Sequence, residues 1–251
     1  MKLHYLRTTA SLLLLSAAFS MQFPIQSQEI TEDLSHGATF KFKIAANLPE
    51  FTFKVVPDAD PADNAGTSEA AIRQIDVYLG NDGKPLQTLE GCDMADMEAP
   101  PKDSKWFRAE DFNFDGNKDL FLLTSWGATG NQFGCVWVFD PGSGRFEYSK
   151  GLSELGTYRL EPATKTIFSF SNGGAAGQVY DARRFRITGK ELALLWHEHQ
   201  DWDSDKNQFH CTAEELKNGK LVLSKDLWSK PASQWSDARA PCDPGTYFQQ
   251  H

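Results

Sequence analysis

The sequence has 251 residues, with 34 acidic and 25 basic side chains, a formal charge of −9 and four cysteines. That length holds one sizeable domain with its own core, and the acidic balance excludes nucleic acid and anionic membrane surfaces as natural partners. Past the first twenty residues, no apolar stretch is long enough to span a bilayer.

The N-terminus reads as a targeting segment. Lys2 and Arg7 form a short basic region, Thr8 to Phe19 is apolar and rich in Leu and Ala, and Ala18-Phe19-Ser20 fits a small-x-small cleavage site. Residues 1–20 are therefore expected to be a cleaved signal peptide, giving a periplasmic or secreted protein without a membrane anchor. The charge of −9 becomes −11 once Lys2 and Arg7 leave with it. Residues 21–37 are polar and are expected to form a loose lead into a single all-β domain over 38–251. Export also sets the reading of Cys92, Cys135, Cys211 and Cys242, which lack the CxxC spacing of a zinc site. In an oxidising compartment an even count predicts two disulfides, and four cysteines allow three pairings. The expected pairing is Cys92–Cys135 and Cys211–Cys242, because each pair brackets one block of strands.

Two alternating pieces lie between Ala38 and Val56, as half-buried strands require. Pro57 to Thr67 is a loop by composition. Ile72–Leu79 and Pro85–Leu89 flank Asn81-Asp82-Gly83, a hairpin signal. Further strands are expected at Lys105–Ala109, Leu120–Ser125, Gly134–Phe139, Arg145–Tyr148, Tyr158–Glu161, Thr166–Phe170, Gln178–Ile187, Glu191–Gln200, His210–Glu214 and Lys220–Leu223. Turns fall at 140–144, 188–190 and 217–219. The spacing predicts an all-β fold of antiparallel meander sheets, and a sandwich and blade-like sheets both satisfy it.

The most specific stretch is Asp111-Phe-Asn-Phe-Asp-Gly-Asn-Lys-Asp119. Side-chain oxygens at Asp111, Asn113 and Asp115, the backbone carbonyl of Asn117 and a closing carboxylate at Asp119 match an EF-hand-like calcium loop, with Gly116 allowing the sharp turn. The twelfth position is Leu122 rather than Glu and a strand follows, so the loop stands between strands and is not a helical EF-hand. An Asx-rich turn without metal has the same composition. Calcium here would have a structural role, with all protein ligands used in closing the site.

Asp201-Trp-Asp-Ser-Asp-Lys-Asn repeats the alternation of oxygens but has Lys206 where glycine belongs and no acid at the ninth place, so an acidic hairpin tip is expected. His197-Glu-His199 puts two imidazoles on one strand face without an evident third ligand. No nucleophile elbow, phosphate loop or HExxH motif is present, and no catalysis is expected. Two Gly-rich loops, 125–131 and 171–177, offer small polar residues next to aromatics, as recognition loops do. An ordinary connection reads the same way.

The run Phe107 to Leu120, with Gly130-Asn131 and Trp137-Val-Phe-Asp140, resembles a family of exported bacterial calcium-binding β proteins. That family includes immunity proteins against lysozyme-like toxins of a type IV secretion system, similar in fold to periplasmic lysozyme inhibitors. The resemblance covers residues 72–200 and implies a calcium-stapled β domain without catalysis. It also implies a basic, lysozyme-like cell-wall hydrolase as protein partner. The Ser-Gly-x-Tyr loop of inhibitors of invertebrate-type lysozyme is absent, so only the calcium ligands carry over by position. Trp126, Thr129 and Asn131 are the expected contacts with the hydrolase, and calcium would hold the base of their loop through Asp119, which opens the strand leading into it. The alternative is a calcium-dependent carbohydrate- or wall-binding module with Trp126, Trp137 and Trp202 as platforms.

Overall fold

The computed structural model describes residues 37–57, 72–80, 83–94, 105–188 and 191–243. The expected signal peptide, residues 21–36, the 58–67 part of the predicted loop, and turn residues 81–82 and 189–190 lie outside them. The strands are β1 (Ala38–Phe42), β2 (Phe51–Pro57), β3 (Ile72–Leu79), β4 (Gln87–Thr88), β5 (Phe107–Glu110), β6 (Asp119–Trp126), β7 (Gln132–Asp140) and β8 (Arg145–Tyr148). They continue with β9 (Thr157–Glu161), β10 (Thr166–Gly174), β11 (Val179–Thr188), β12 (Glu191–Asp203), β13 (Gln208–Lys217) and β14 (Lys220–Trp228). Each strand pairs antiparallel with its neighbour in sequence, giving three open meanders: β1–β4, β5–β8 and β9–β14. The all-β meander expectation holds. The strand expected over Pro85–Leu89 shrinks to Gln87–Thr88, though Leu86 N and Leu89 N still bond Val77 O and Ile75 O.

The layering follows from alternation. In β2, Phe51, Phe53 and Val55 are buried while Lys54 is exposed, so one face of the first sheet is apolar. Directly opposite residues share a face; Phe107, Leu122 and Cys135 thus stand on one side of the second sheet, and Arg108, Phe121 and Val136 on the other. Phe51 meets Phe139 and Phe146 edge-on, and Phe53 meets Phe107 and Phe146. Each such pair adds about 0.5–1.5 kcal/mol to simple burial. On the far side, Phe121 and Phe112 pack on Tyr158 of β9. The second sheet is therefore the middle layer. This accounts for the unbroken apolar run Leu120-Phe-Leu-Leu123, every residue of which is buried, because a strand covered on both faces needs no polar alternation.

Gly134 on β7 shows how close the layers run: a Cβ there would meet Leu122 O at 2.3 Å and the Phe121 ring at 2.5 Å. The two expected disulfides are present, Cys92–Cys135 and Cys211–Cys242. The first ties the segment after β4 to β7. The second ties β13 to the chain after β14, beside a smaller core of Phe168, Phe170, Tyr180 and Ala182. Among the described residues, no helix is long and apolar enough to cross a membrane.

Candidate functional site

Two features dominate the second sheet, one at each end of β6. Before β6 stands the acidic loop. Asp111 accepts the amides of Asp115 (3.1 Å) and Gly116 (3.0 Å), Asn113 Oδ1 accepts the same Asp115 amide (3.1 Å), and Asp115 Oδ1 accepts the Asn117 amide at 2.7 Å. Phe114 and Gly116 take positive φ, +57° and +92°, which folds the chain tightly enough to gather these oxygens. Phe112 anchors the loop from beneath, fully buried between Phe121 and Tyr158, and Lys118 N bonds Ile44 O of the chain after β1.

Asp119 plays a different part. It is fully buried; Oδ2 accepts the amides of Phe112 (2.8 Å) and Asn113 (3.3 Å), and Oδ1 accepts that of Phe139 (2.9 Å). Burial pushes its carboxyl up to about 7, against three main-chain hydrogen bonds that pull it down. Single oxygens of Asp111, Asp115 and Asp119 do not all lie within 4.8 Å of one another. By donor type alone, Asp111, Asn113 and Asp115 offer the hard oxygens that a calcium ion takes. The oxygens of all four side chains accept amide hydrogens, Asp115 Oδ2 from Asn113 Nδ2 at 3.0 Å; full burial is what sets Asp119 apart, for the indirect ninth-position role that such loops commonly fill through water.

After β6 stands the first Gly-rich loop, closed by Gly127 N to Asn131 O at 2.8 Å. It does not stand alone. Asn131 Nδ2 donates to Asn172 O (3.0 Å), Asn172 N donates to Asn131 Oδ1 (2.7 Å), and Asn172 Nδ2 donates to Thr129 O (3.1 Å). Gln132 N donates to Thr157 Oγ1 at 3.0 Å. The two Gly-rich loops, one from the second sheet and one from the third, thus form a single edge. Ala175 and Ala176 on the second loop hold φ of +50° and +55°, a left-handed conformation that costs a residue with a Cβ about 1–2 kcal/mol. Of the expected contacts, Thr129 is exposed, Trp126 is half-buried against the main core, and the Asn131 amide belongs to the clamp.

No protein-family model matches the chain, and no curated protein matches it in sequence. Among solved structures the chain is similar to a Xanthomonas type IV secretion system related protein, with a TM-score of 0.51 and 15% identity over 77% of this chain and 96% of that one. At that identity the likeness concerns the fold, and it supports the all-β architecture described above.

The structure separates what the sequence placed together. Eight residues of β6 at about 3.3 Å each put the acidic loop and the Gly-rich edge at opposite ends of the sheet. Calcium bound near Asp119 could not hold the base of the 125–131 loop directly. Of the tryptophans expected as sugar platforms, Trp137 is fully buried with Nε1 bonded to Glu90 O at 2.7 Å, and Trp202 packs edge-on against buried Phe209. Asp203 Oδ1 accepts the amides of Asp205 and Lys206, closing the expected acidic hairpin tip.

Sequence reading missed Phe133, 42% exposed at the start of β7, where it lines an open depression of about 440 Å³ with Thr124 and Tyr148. It also missed Asn172 as a structural partner, although the loop containing it was singled out. The polar brace in which Arg108 bonds Tyr158 OH (2.7 Å) and Glu110 (2.8 Å) across the second and third sheets left no sequence signal either.

Proposed function

We propose that this chain is an exported, non-catalytic calcium-binding protein that inhibits a basic, lysozyme-like cell-wall hydrolase, acting as an immunity protein. The observation that carries the reading is the clamped double loop. Binding gains most from a surface already fixed in its bound form, and Asn131–Asn172 fixes an exposed edge of small residues between two sheets. The edge would enter a substrate cleft through exposed Thr129, with half-buried Trp126 and the exposed Phe133 as apolar contacts. A protein of charge −11 would draw a basic hydrolase. Two disulfides fit a location outside the cytoplasm, and the neighbour of similar fold is related to a type IV secretion system, the setting in which toxins of this class are delivered.

Asp111, Asn113, Asp115 and the Asn117 carbonyl would hold calcium, with Asp119 bracing the loop from inside. Calcium bound there would supply charge neutralisation among the carboxylates and rigidity at the start of β6. Its contribution is to stability, since the Gly-rich edge lies at the far end of the strand. The fully buried Trp137 is closed off as a sugar platform, which counts against the row of Trp126, Trp137 and Trp202 in the sugar-binding alternative.

The test is capture of purified lysozyme-like hydrolases by the calcium-loaded mature protein, with cell-wall lysis followed in parallel. Stoichiometric capture with loss of lysis, abolished by Thr129→Arg in a protein of unchanged unfolding temperature, is the expected result. Retention on purified peptidoglycan without capture of any hydrolase would overturn the reading.

A further inference from the structure

The three histidines among the described residues, His197, His199 and His210, share one face of the third sheet: His197 and His199 alternate along β12, and β13 pairs His210 with Asp201 in register with them. The sheet supplies what the sequence lacked. Asp181 of β11 pairs directly with His199, and its Oδ2 lies 2.7 Å from His197 Nε2 and 3.7 Å from His199 Nδ1. One carboxylate oxygen thus stands between two imidazoles. The other, Oδ1, takes an ion pair from Arg183 Nε at 2.7 Å, which fixes the plane of the carboxylate and turns Oδ2 towards the rings. Glu214, half-buried on β13, stands directly across from His197 on the same face. All three central groups are open to solvent, with side chains 26%, 45% and 25% exposed for His197, His199 and Asp181.

We propose that Asp181, His197 and His199 form a site for a borderline divalent transition-metal cation such as zinc. Two imidazoles and one carboxylate are the donor set that such ions select, whereas calcium takes oxygens alone. The ligand atoms of the three side chains do not all lie within 4.8 Å of one another, and the two imidazole centroids are 6.4 Å apart, so binding requires His199 to turn towards the ion, which takes the place of the shared hydrogen between His197 and Asp181. Arg183 acts as the outer partner that orients a ligating carboxylate, and Glu214 lies across from His197 on the same face. His210 is committed elsewhere, bonded to Asp226 at 2.8 Å and stacked 3.8 Å from the Trp228 ring, so it serves as an internal control. The site lies near the clamped edge: Ser171, where the second Gly-rich loop begins, pairs with Asp181, which pairs with His199.

The experiment is a calorimetric titration of the calcium-saturated mature protein with zinc chloride. One saturable equivalent is expected, weakened at least about tenfold by His199→Ala and by Asp181→Asn, and unchanged in His210→Ala. These side chains lie on an open face, and circular dichroism verifies that each variant is folded. Absence of saturable zinc binding by the wild type, or equal binding by a folded His197→Ala/His199→Ala double variant, would overturn the proposal.

Discussion

Asp119 and Asn131 illustrate how two short polar side chains do opposite work at the two ends of one strand. Asp119 is buried to bring its oxygens to three main-chain amides; in Asp119→Ala those donors would be left without acceptors, at about 1–3 kcal/mol for each unsatisfied group. A loss of about 3 kcal/mol or more is expected, read from urea unfolding against wild type in the presence of chelator, so that metal occupancy plays no part. Asn131 is half-exposed, and its two bonds to Asn172 are between neutral groups. Asn131→Ala is expected to cost about 1–2 kcal/mol in the same measurement, and to weaken hydrolase capture by more than that stability loss explains, because the loops are no longer held together. The Asx pattern at 111–119 made the first residue visible in the sequence. Nothing made the second visible as a clamp, since its partner lies 41 positions away on another sheet.

At the scale of elements, alternation predicted most strands because strands such as β2 and β13 bury every second residue and leave the others more open. The continuous run in β6 was legible for the opposite reason, being covered on both faces. What alternation could not say was which face is covered: Trp137 falls inside the expected strand and Phe133 one residue before it, yet the first is fully buried and the second is 42% exposed. Cross-strand chemistry within the third sheet gives a further test. Glu161 of β9 accepts Arg184 of β11 at 2.9 Å, Thr166 of β10 at 2.8 Å and Arg159 at 3.1 Å. Burial pushes its carboxyl up, but these hydrogen bonds outweigh it and hold the group below its ordinary value of 4.5. A carboxylate lowered in the folded state binds fewer protons there than in the unfolded chain. Its contribution is therefore complete above 4.5 and is lost as the pH falls through the lowered folded value. The stability difference between wild type and Glu161→Gln is expected to be present at neutral pH and to shrink in acid, as measured by urea unfolding across that range. A difference independent of pH would mean that the ion pairs contribute nothing.

For the whole molecule, charge and shape should separate in kinetics. A surface of −9, or −11 once the expected signal peptide is removed, acts at long range and is screened by salt, while the clamped edge acts only on contact. Association with a basic hydrolase is expected to slow as ionic strength rises, with dissociation little changed, in surface plasmon resonance at low and high salt. Chelation should act otherwise: it is expected to lower the unfolding temperature, and to leave capture intact at temperatures where the chelated protein remains folded. Loss of capture in a folded, chelated protein would show that the two ends of β6 are coupled after all.

The sequence by itself determined the all-β meander, the targeting segment as an expectation, and the oxygen-rich loop. These rest on local rules: period-two alternation, turn residues, and side chains within nine positions of one another. The disulfide partners also came from a near-local argument, since each pair brackets one block of strands. Tertiary structure alone decided that the two Gly-rich loops are one edge, that this edge stands a strand's length from the acidic loop, and that Asp181 lies between His197 and His199. Each of those depends on which strands lie side by side and which faces are covered, and alternation within a strand is the same whichever neighbour the packing supplies.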